Sequence, residues 1–256
     1  MGYKKFIAYG NNFELYEYEK EIAFSGRQGV PKGRSNSQNM GHDESTLGKP
    51  IFDQGRRKDN AERARSAFAR LVIANLSGKE NPLFVTFTYA RNQKSLDIGY
   101  ADFNYCIKNL RKAYGKVFSY IAVPEFQRRG AVHFHTLFWS LPSTQLLQER
   151  QSYNLSPELS KHWRYGFVYL KATDGNEKLG YYLSKYMAKA FQDKNLSGHK
   201  SYVCSRNVLR PIVGSGFENS AFVLDAWGVD NYPFKTSQYM TQYLGQAKKS
   251  IYYITN

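Results

Sequence analysis

Apolar and polar positions change period several times along the chain. Over residues 60–76, Ala64, Phe68, Leu71, Val72 and Asn75 recur at helical spacing with Arg63, Arg65 and Arg70 on a basic face, which predicts an amphipathic helix. Pro82 then precedes Leu-Phe-Val-Thr-Phe-Thr-Tyr at 83–89, whose β-branched and aromatic alternation predicts a strand. Helical spacing returns at 102–114 through Phe103, Cys106, Ile107 and Leu110, on a helix expected to pack on that strand. Two alternating runs over 117–139 flank Arg128-Arg129-Gly130, and a loop of three residues closed by glycine predicts a β-hairpin. A strand over 166–171 and a helix over 177–191 complete the periodic part. Residues 1–58 pass from a Tyr-rich start into Gly-, Ser- and Asn-rich loop composition, and beyond 192 short apolar runs alternate with Gly and Asn without a clear period.

Composition narrows the classes. The 256 residues allow one substantial domain with extensions, here drawn as a loop-rich basic segment over 1–58, a central domain over 59–215 and an extension over 216–256. A charge of +15 favours polyanionic partners, nucleic acid first. The 21 Tyr and 17 Phe add rings of the kind that stack unpaired bases. No apolar run reaches the ~18 residues of a membrane span, and the start leads into no secretory segment, so a soluble cytoplasmic protein is expected. Two cysteines without C-x-x-C spacing fit a reduced compartment. No Gly-x-x-x-x-Gly-Lys-Ser/Thr loop is present, so no NTPase or helicase module is visible in the sequence.

Candidate chemistry lies on the hairpin and the last helix. Residues two apart in a strand share a face, so His133 and His135 project together. With Arg128 to Gly130 as the loop, Gln127 faces Ala131 and Glu125 faces His133, bringing two imidazoles and a carboxylate onto one surface. Such a donor set suits Mn²⁺, Mg²⁺ or Zn²⁺ with open coordination positions. On the helix, Tyr182, Lys185, Tyr186 and Lys189 fall within an arc of about 100°. Leu179, Leu183, Met187 and Ala190 take the adjacent, core-facing arc, and Tyr181 lies at the margin. A phenol with a pKa near ~10 needs nearby positive charge or a polarised electrophile to attack at neutral pH. Lys185 and Lys189 supply the charge.

These residues resemble the HUH endonucleases, specifically the two-tyrosine replication initiator (Rep) proteins of small single-stranded DNA phages and plasmids. Phe84-Val-Thr86-Phe-Thr88 resembles the family's Phe-x-Thr-x-Thr strand, His133-Phe134-His135 its metal motif, and Tyr182 to Lys189 its Tyr-x-x-Lys-Tyr-x-x-Lys motif, in the family's order. The resemblance covers roughly residues 60–215. It implies an α+β fold, a central five-stranded antiparallel sheet flanked by helices, with Mn²⁺ or Mg²⁺, rather than Zn²⁺, held by His133, His135 and Glu125. It further implies that Tyr186 or Tyr182 attacks a single-stranded origin, expected to form a hairpin, to leave a 5′-phosphotyrosine and a 3′-OH for a host polymerase, with duplex unwinding by a host helicase in trans. Arg128, Arg129, Thr86 and Thr88 would contact the DNA. A related transposase or relaxase shares this chemistry; a non-catalytic single-strand binder or a metal-dependent hydrolase of small substrates explains fewer of the residues.

Overall fold

A computed structural model of the chain describes residues 2–21, 52–76, 81–141, 154–176, 178–230, 232–241 and 243–255. It divides into two compact units. One comprises Met1–Ile7, Asn12–Arg56 and Val213–Asn256; the other comprises Ala8–Asn11 and Arg57–Ile212. The class is α+β, with a five-stranded sheet in the first unit and a six-stranded sheet in the second. Among the described residues, no helix is long and apolar enough to cross a membrane.

The first unit corrects the expectation of a loop-rich amino-terminal segment and gives regular structure to the carboxy-terminal residues that showed no clear period. β1 (Lys4–Tyr9) and β2 (Asn12–Tyr18) are strands, and β2 pairs antiparallel with β11 (Gly245–Tyr253), Leu15 facing Ser250. Strand order is β10-β11-β2-β1-β9, where β9 is Ile212–Ser215 and β10 is Lys235–Thr241. The segments read as two separate extensions are therefore neighbours in one sheet. Local periodicity could not show this: residues 12–16 of β2 are all buried, so no alternation survives, and β10 is exposed almost throughout. A short helix, Ser220–Ala226, is capped by the Asn219 side chain, and Trp227 beyond it packs on the rings of Phe6 and Phe13. The Gly- and Ser-rich stretch at 22–51 lies outside the described residues.

In the second unit the sheet order is β6-β7-β3-β5-β4-β8. The strands are β3 (Leu83–Tyr89), β4 (Ser119–Phe126), β5 (Val132–Trp139), β6 (Asn154–Leu155), β7 (Gly166–Ala172) and β8 (Val203–Cys204). Six strands thus stand where five were expected. The outer two each contribute only two residues, leaving four long antiparallel strands at the centre.

Alternation gives this sheet two different faces. Val85, Phe87, Val132, Phe134 and Phe138 point to one side, where Phe103, Cys106, Ile107 and Leu110 of α2 (Leu96–Tyr114) cover them with Leu159 and Trp163 of α3 (Pro157–Trp163). Rings such as Phe134 and Phe103 are completely buried, each worth roughly 1.5–3 kcal/mol against exposure. Helix α2 begins six residues before the apolar spacing suggested, because Ser95 caps its amino terminus and accepts from the Ile98 amide at 3.4 Å. On the other side, Ile121, Val123, Leu137 and Trp139 lie beneath α1 (Phe52–Ala74) and the tyrosine-bearing helix. The first turns of α1, Asp-Gln-Gly-Arg-Arg-Lys-Asp, carry no apolar period, which is why only 60–76 was legible.

The helix expected over 177–191 is divided. α4 spans Lys178–Tyr186 and α5 spans Ala188–Gln192, with Met187 at φ −81° and ψ 0° between them. The Met187 amide still donates to Leu183 and the Phe191 amide to Met187, at 2.8 and 3.1 Å, so the two pieces follow one another with the helical stagger kept.

Candidate functional site

The hairpin β4–β5 closes as its loop residues require. Gly130 sits at φ +83°, where a side chain would be strained, its amide donates to Gln127 O at 2.8 Å, and the Gln127 amide donates to Ala131 O at 2.9 Å. Glu125 consequently pairs with His133 in the ladder, and Val123 with His135. Strand β8 reaches only Ile121 and Ala122, so Pro124 and Glu125 lie on an open edge where proline's missing amide costs no ladder bond.

His133 and His135 share the face that ends in Leu137 and Trp139, and both rings are buried. The side-chain contacts depart from simple register. Glu125 Oε2 lies 2.6 Å from Nε2 of His135, diagonally across the pair, while the Thr86 hydroxyl lies 3.2 Å from His135 Nδ1. A neutral ring satisfies both, donating from Nε2 and accepting at Nδ1. His133 Nε2 is buried and has no hydrogen-bond partner. Among the described residues, no group of three His, Cys, Asp or Glu side chains is gathered as a ready metal site.

Electrostatics sharpen the difference between these groups. The hydrogen bond from His135 holds the Glu125 carboxyl below the usual carboxylate range, against the opposing effect of burial, and the charge of Lys189 assists. Burial pushes the His133 imidazole down to about 4, with the neighbouring His135 and the charge of Arg129 acting in the same direction and Glu125 opposing them. A neutral imidazole with a buried, unshared ring nitrogen is the form that binds a divalent ion. The donors therefore fit such an ion in kind, with the Glu125–His135 hydrogen bond as the contact that ligation would replace.

The tyrosine helix packs on this same face. Leu183 and Met187 are buried against the core that includes Val123 and Leu137. Gly180 lets α4 approach α1 closely, since a Cβ there would stand 2.6 Å from Ile73 Cγ1 and 2.9 Å from the Ala69 carbonyl oxygen. Tyr182 is 65 % exposed and lines a groove of about 910 Å³ with Phe84 and Lys171. The Phe84 ring in turn stacks on His135, centroids 5.7 Å apart and planes within 9°. Lys185 and Lys189 are exposed, and Tyr181 shares a 3.1 Å hydrogen bond with Tyr9. Tyr186 ends α4, and its side chain lies outside the described residues.

Two residues expected at the DNA have structural duties here. Thr86 is buried, directly opposite His135 on β3, so it orients that ring. Arg129 is exposed but spends its guanidinium on Gln127 Oε1 and the Tyr89 carbonyl, at 2.9 and 2.8 Å, tying the hairpin tip to the end of β3. Arg128 is exposed, and Thr88 is half-buried opposite His133. Phe84, Phe167 and Lys171 were missed. Phe167 and Lys171 pair with Thr88 and Phe84 across β3–β7 and so join the histidine face, a placement that needs the β7 register and cannot be read from their own spacing.

Residues 82–191 match the family model described as replication-associated protein ORF2/G2P. The matched segment runs from β3 through the tyrosine helix and includes Thr86, Glu125, both histidines, Tyr182 and Tyr186. No curated protein and no solved structure matches the chain. The family match supports a Rep-type replication initiator.

Proposed function

We propose that the protein nicks single-stranded origin DNA by tyrosine attack and rejoins it during rolling-circle replication. The observation that carries this reading is the orphaned Nε2 of His133 beside the His135–Glu125 pair, on the sheet face against which the tyrosine helix packs. His133, His135 and Glu125 would hold a divalent ion, Mn²⁺ or Mg²⁺, which when bound polarises a non-bridging oxygen of the scissile phosphate. Thr86 fixes the His135 ring, and Phe84 stacks on it.

The chain's own residues supply the rest. A tyrosine Oη forms a bond to phosphorus, the P–O3′ bond breaks, and the proton given up by the phenol is balanced by the one gained by the 3′ oxygen. The 5′ phosphate stays on the protein, which keeps the bond energy for rejoining, so no nucleotide cofactor is consumed. Tyr186 is assigned the first attack and Tyr182 the second, with Lys185 and Lys189 favouring the phenolate. The freed 3′-OH would serve a host polymerase, and unwinding would come from a host helicase. The same chemistry would serve a transposase or relaxase, which the sequence of the cut strand distinguishes.

The Glu125–His135 hydrogen bond, which leaves no ready metal group, favours a second reading: a binder of single strands that does not cut. A denaturing gel separates the two. Incubation of a labelled single-stranded oligonucleotide pool with Mn²⁺ is expected to give a covalent protein–DNA band that EDTA abolishes and Tyr182→Phe/Tyr186→Phe eliminates. EDTA-insensitive binding without that band establishes the binder instead.

A further inference from the structure

The groove that Tyr182 and Phe84 line extends beyond the residues used in the chemistry above. Its wall is Phe84, half-buried, with one ring face stacked on His135. Its rim carries two exposed lysines from different elements: Lys171, paired with Phe84 across β3–β7, and Lys178 at the start of α4. Its volume of about 910 Å³ falls in the ~300–1,000 Å³ range of ligand sites. The one carboxylate among these groups, Asp174, is engaged by Asn176, whose side-chain amide donates to Oδ2 at 2.5 Å and whose backbone amide lies 3.4 Å from Oδ1. An aromatic wall in a groove that also carries two cations is complementary to a base attached to phosphates, and unlike a neutral ligand a nucleotide uses both.

We infer that this groove is a nucleotide subsite, in which one unpaired base of the DNA strand stacks on Phe84 while its flanking phosphates lie on Lys171 and Lys178. The inference rests on the single-strand reading above. It goes further in naming where the strand is held: the Phe84 ring bridges base and His135, so the held base sets the distance from the strand to the histidines, and Tyr182 lines the same groove. Base identity contributes little at this subsite, because every base offers a π face.

The test is binding, measured by fluorescence anisotropy in EDTA so that no cleavage is involved. The probes are a 20-nucleotide oligothymidine and an abasic deoxyribose-phosphate strand of the same length. The wild type is expected to prefer oligothymidine. Phe84→Ala should weaken oligothymidine binding about tenfold and leave the abasic strand nearly unchanged, while Phe84→Tyr restores the difference. Lys171→Ala should weaken both probes equally and reduce the slope of log affinity against log salt by about 0.7. Thermal midpoints report folding, and Phe84→Leu replaces Phe84→Ala if the latter unfolds. Equal losses on both probes, or none on either, overturn the subsite. A protein that forms the tyrosine adduct without this base dependence keeps the nickase and loses the groove; one that shows the base dependence without an adduct does the reverse.

Discussion

Each sheet carries a small buried polar cluster, and the two are finished differently. In the five-stranded sheet Glu14 is 3 % exposed, yet its carboxylate meets Lys249 Nζ at 3.0 Å and the Tyr16 hydroxyl at 2.5 Å, and the same ammonium lies 5.3 Å from the centre of the Tyr16 ring. In the six-stranded sheet Glu125 and Thr86 satisfy His135, while the neighbouring His133 keeps a buried ring nitrogen without a partner. Leaving such an atom unsatisfied costs about 1–3 kcal/mol. The closed cluster explains itself as structure. The open one retains a buried atom that the protein leaves unsatisfied, as Asn12 Nδ2 and Ser250 Oγ are in the five-stranded sheet, and what sets it apart is that the atom is an imidazole nitrogen beside a second imidazole and a carboxylate.

The largest expected effect separates the clusters by activity. His133→Leu should lower formation of the covalent DNA adduct by at least about 1,000-fold, several kcal/mol of lost charge stabilisation, while leaving stability equal to or slightly above wild type in denaturant titration. Lys249→Ala should behave oppositely. It strands the Glu14 carboxylate and should cost about 3 kcal/mol of stability, with the adduct rate of the folded fraction unchanged.

Titration sharpens the same contrast. The folded His133 is held near 4, below its ordinary 6.5, so the unfolded chain takes up the proton first. Stability from this residue is complete above pH 6.5 and is lost as pH falls toward 4. Between pH 7 and 5 the loss should be about 2 kcal/mol, measured by urea unfolding in EDTA, and His133→Leu should remove that component. Thr86→Val should have the smallest effect, about a tenfold fall in activity, since it releases the His135 ring without touching the nucleophile.

What was legible in the sequence follows the range of the contacts. Gly130 at positive φ and three loop residues determine the pairing of Glu125 with His133, and both facts are local. The diagonal reach of Glu125 to His135 is a choice of side-chain rotamer, which register alone does not dictate. The stop at Met187 was invisible because the apolar spacing of Leu183, Met187 and Phe191 continues through it. Strands β2 and β11 pair Leu15 with Ser250 across most of the chain, and neither carries a partner signal in its own pattern. Phe84 stood in a recognised motif, yet its relation to Lys171 and Tyr182 appears only once β7 and α4 are in place.

The most direct measurement is calorimetric titration of Mn²⁺ into the purified protein without DNA. One ion should bind per chain to wild type and to Thr86→Val more weakly, with binding lost in His133→Leu and intact in Glu14→Gln. A wild type that takes up no ion, or a His133→Leu variant that binds it as tightly, would contradict the assignment of the open cluster as the metal site.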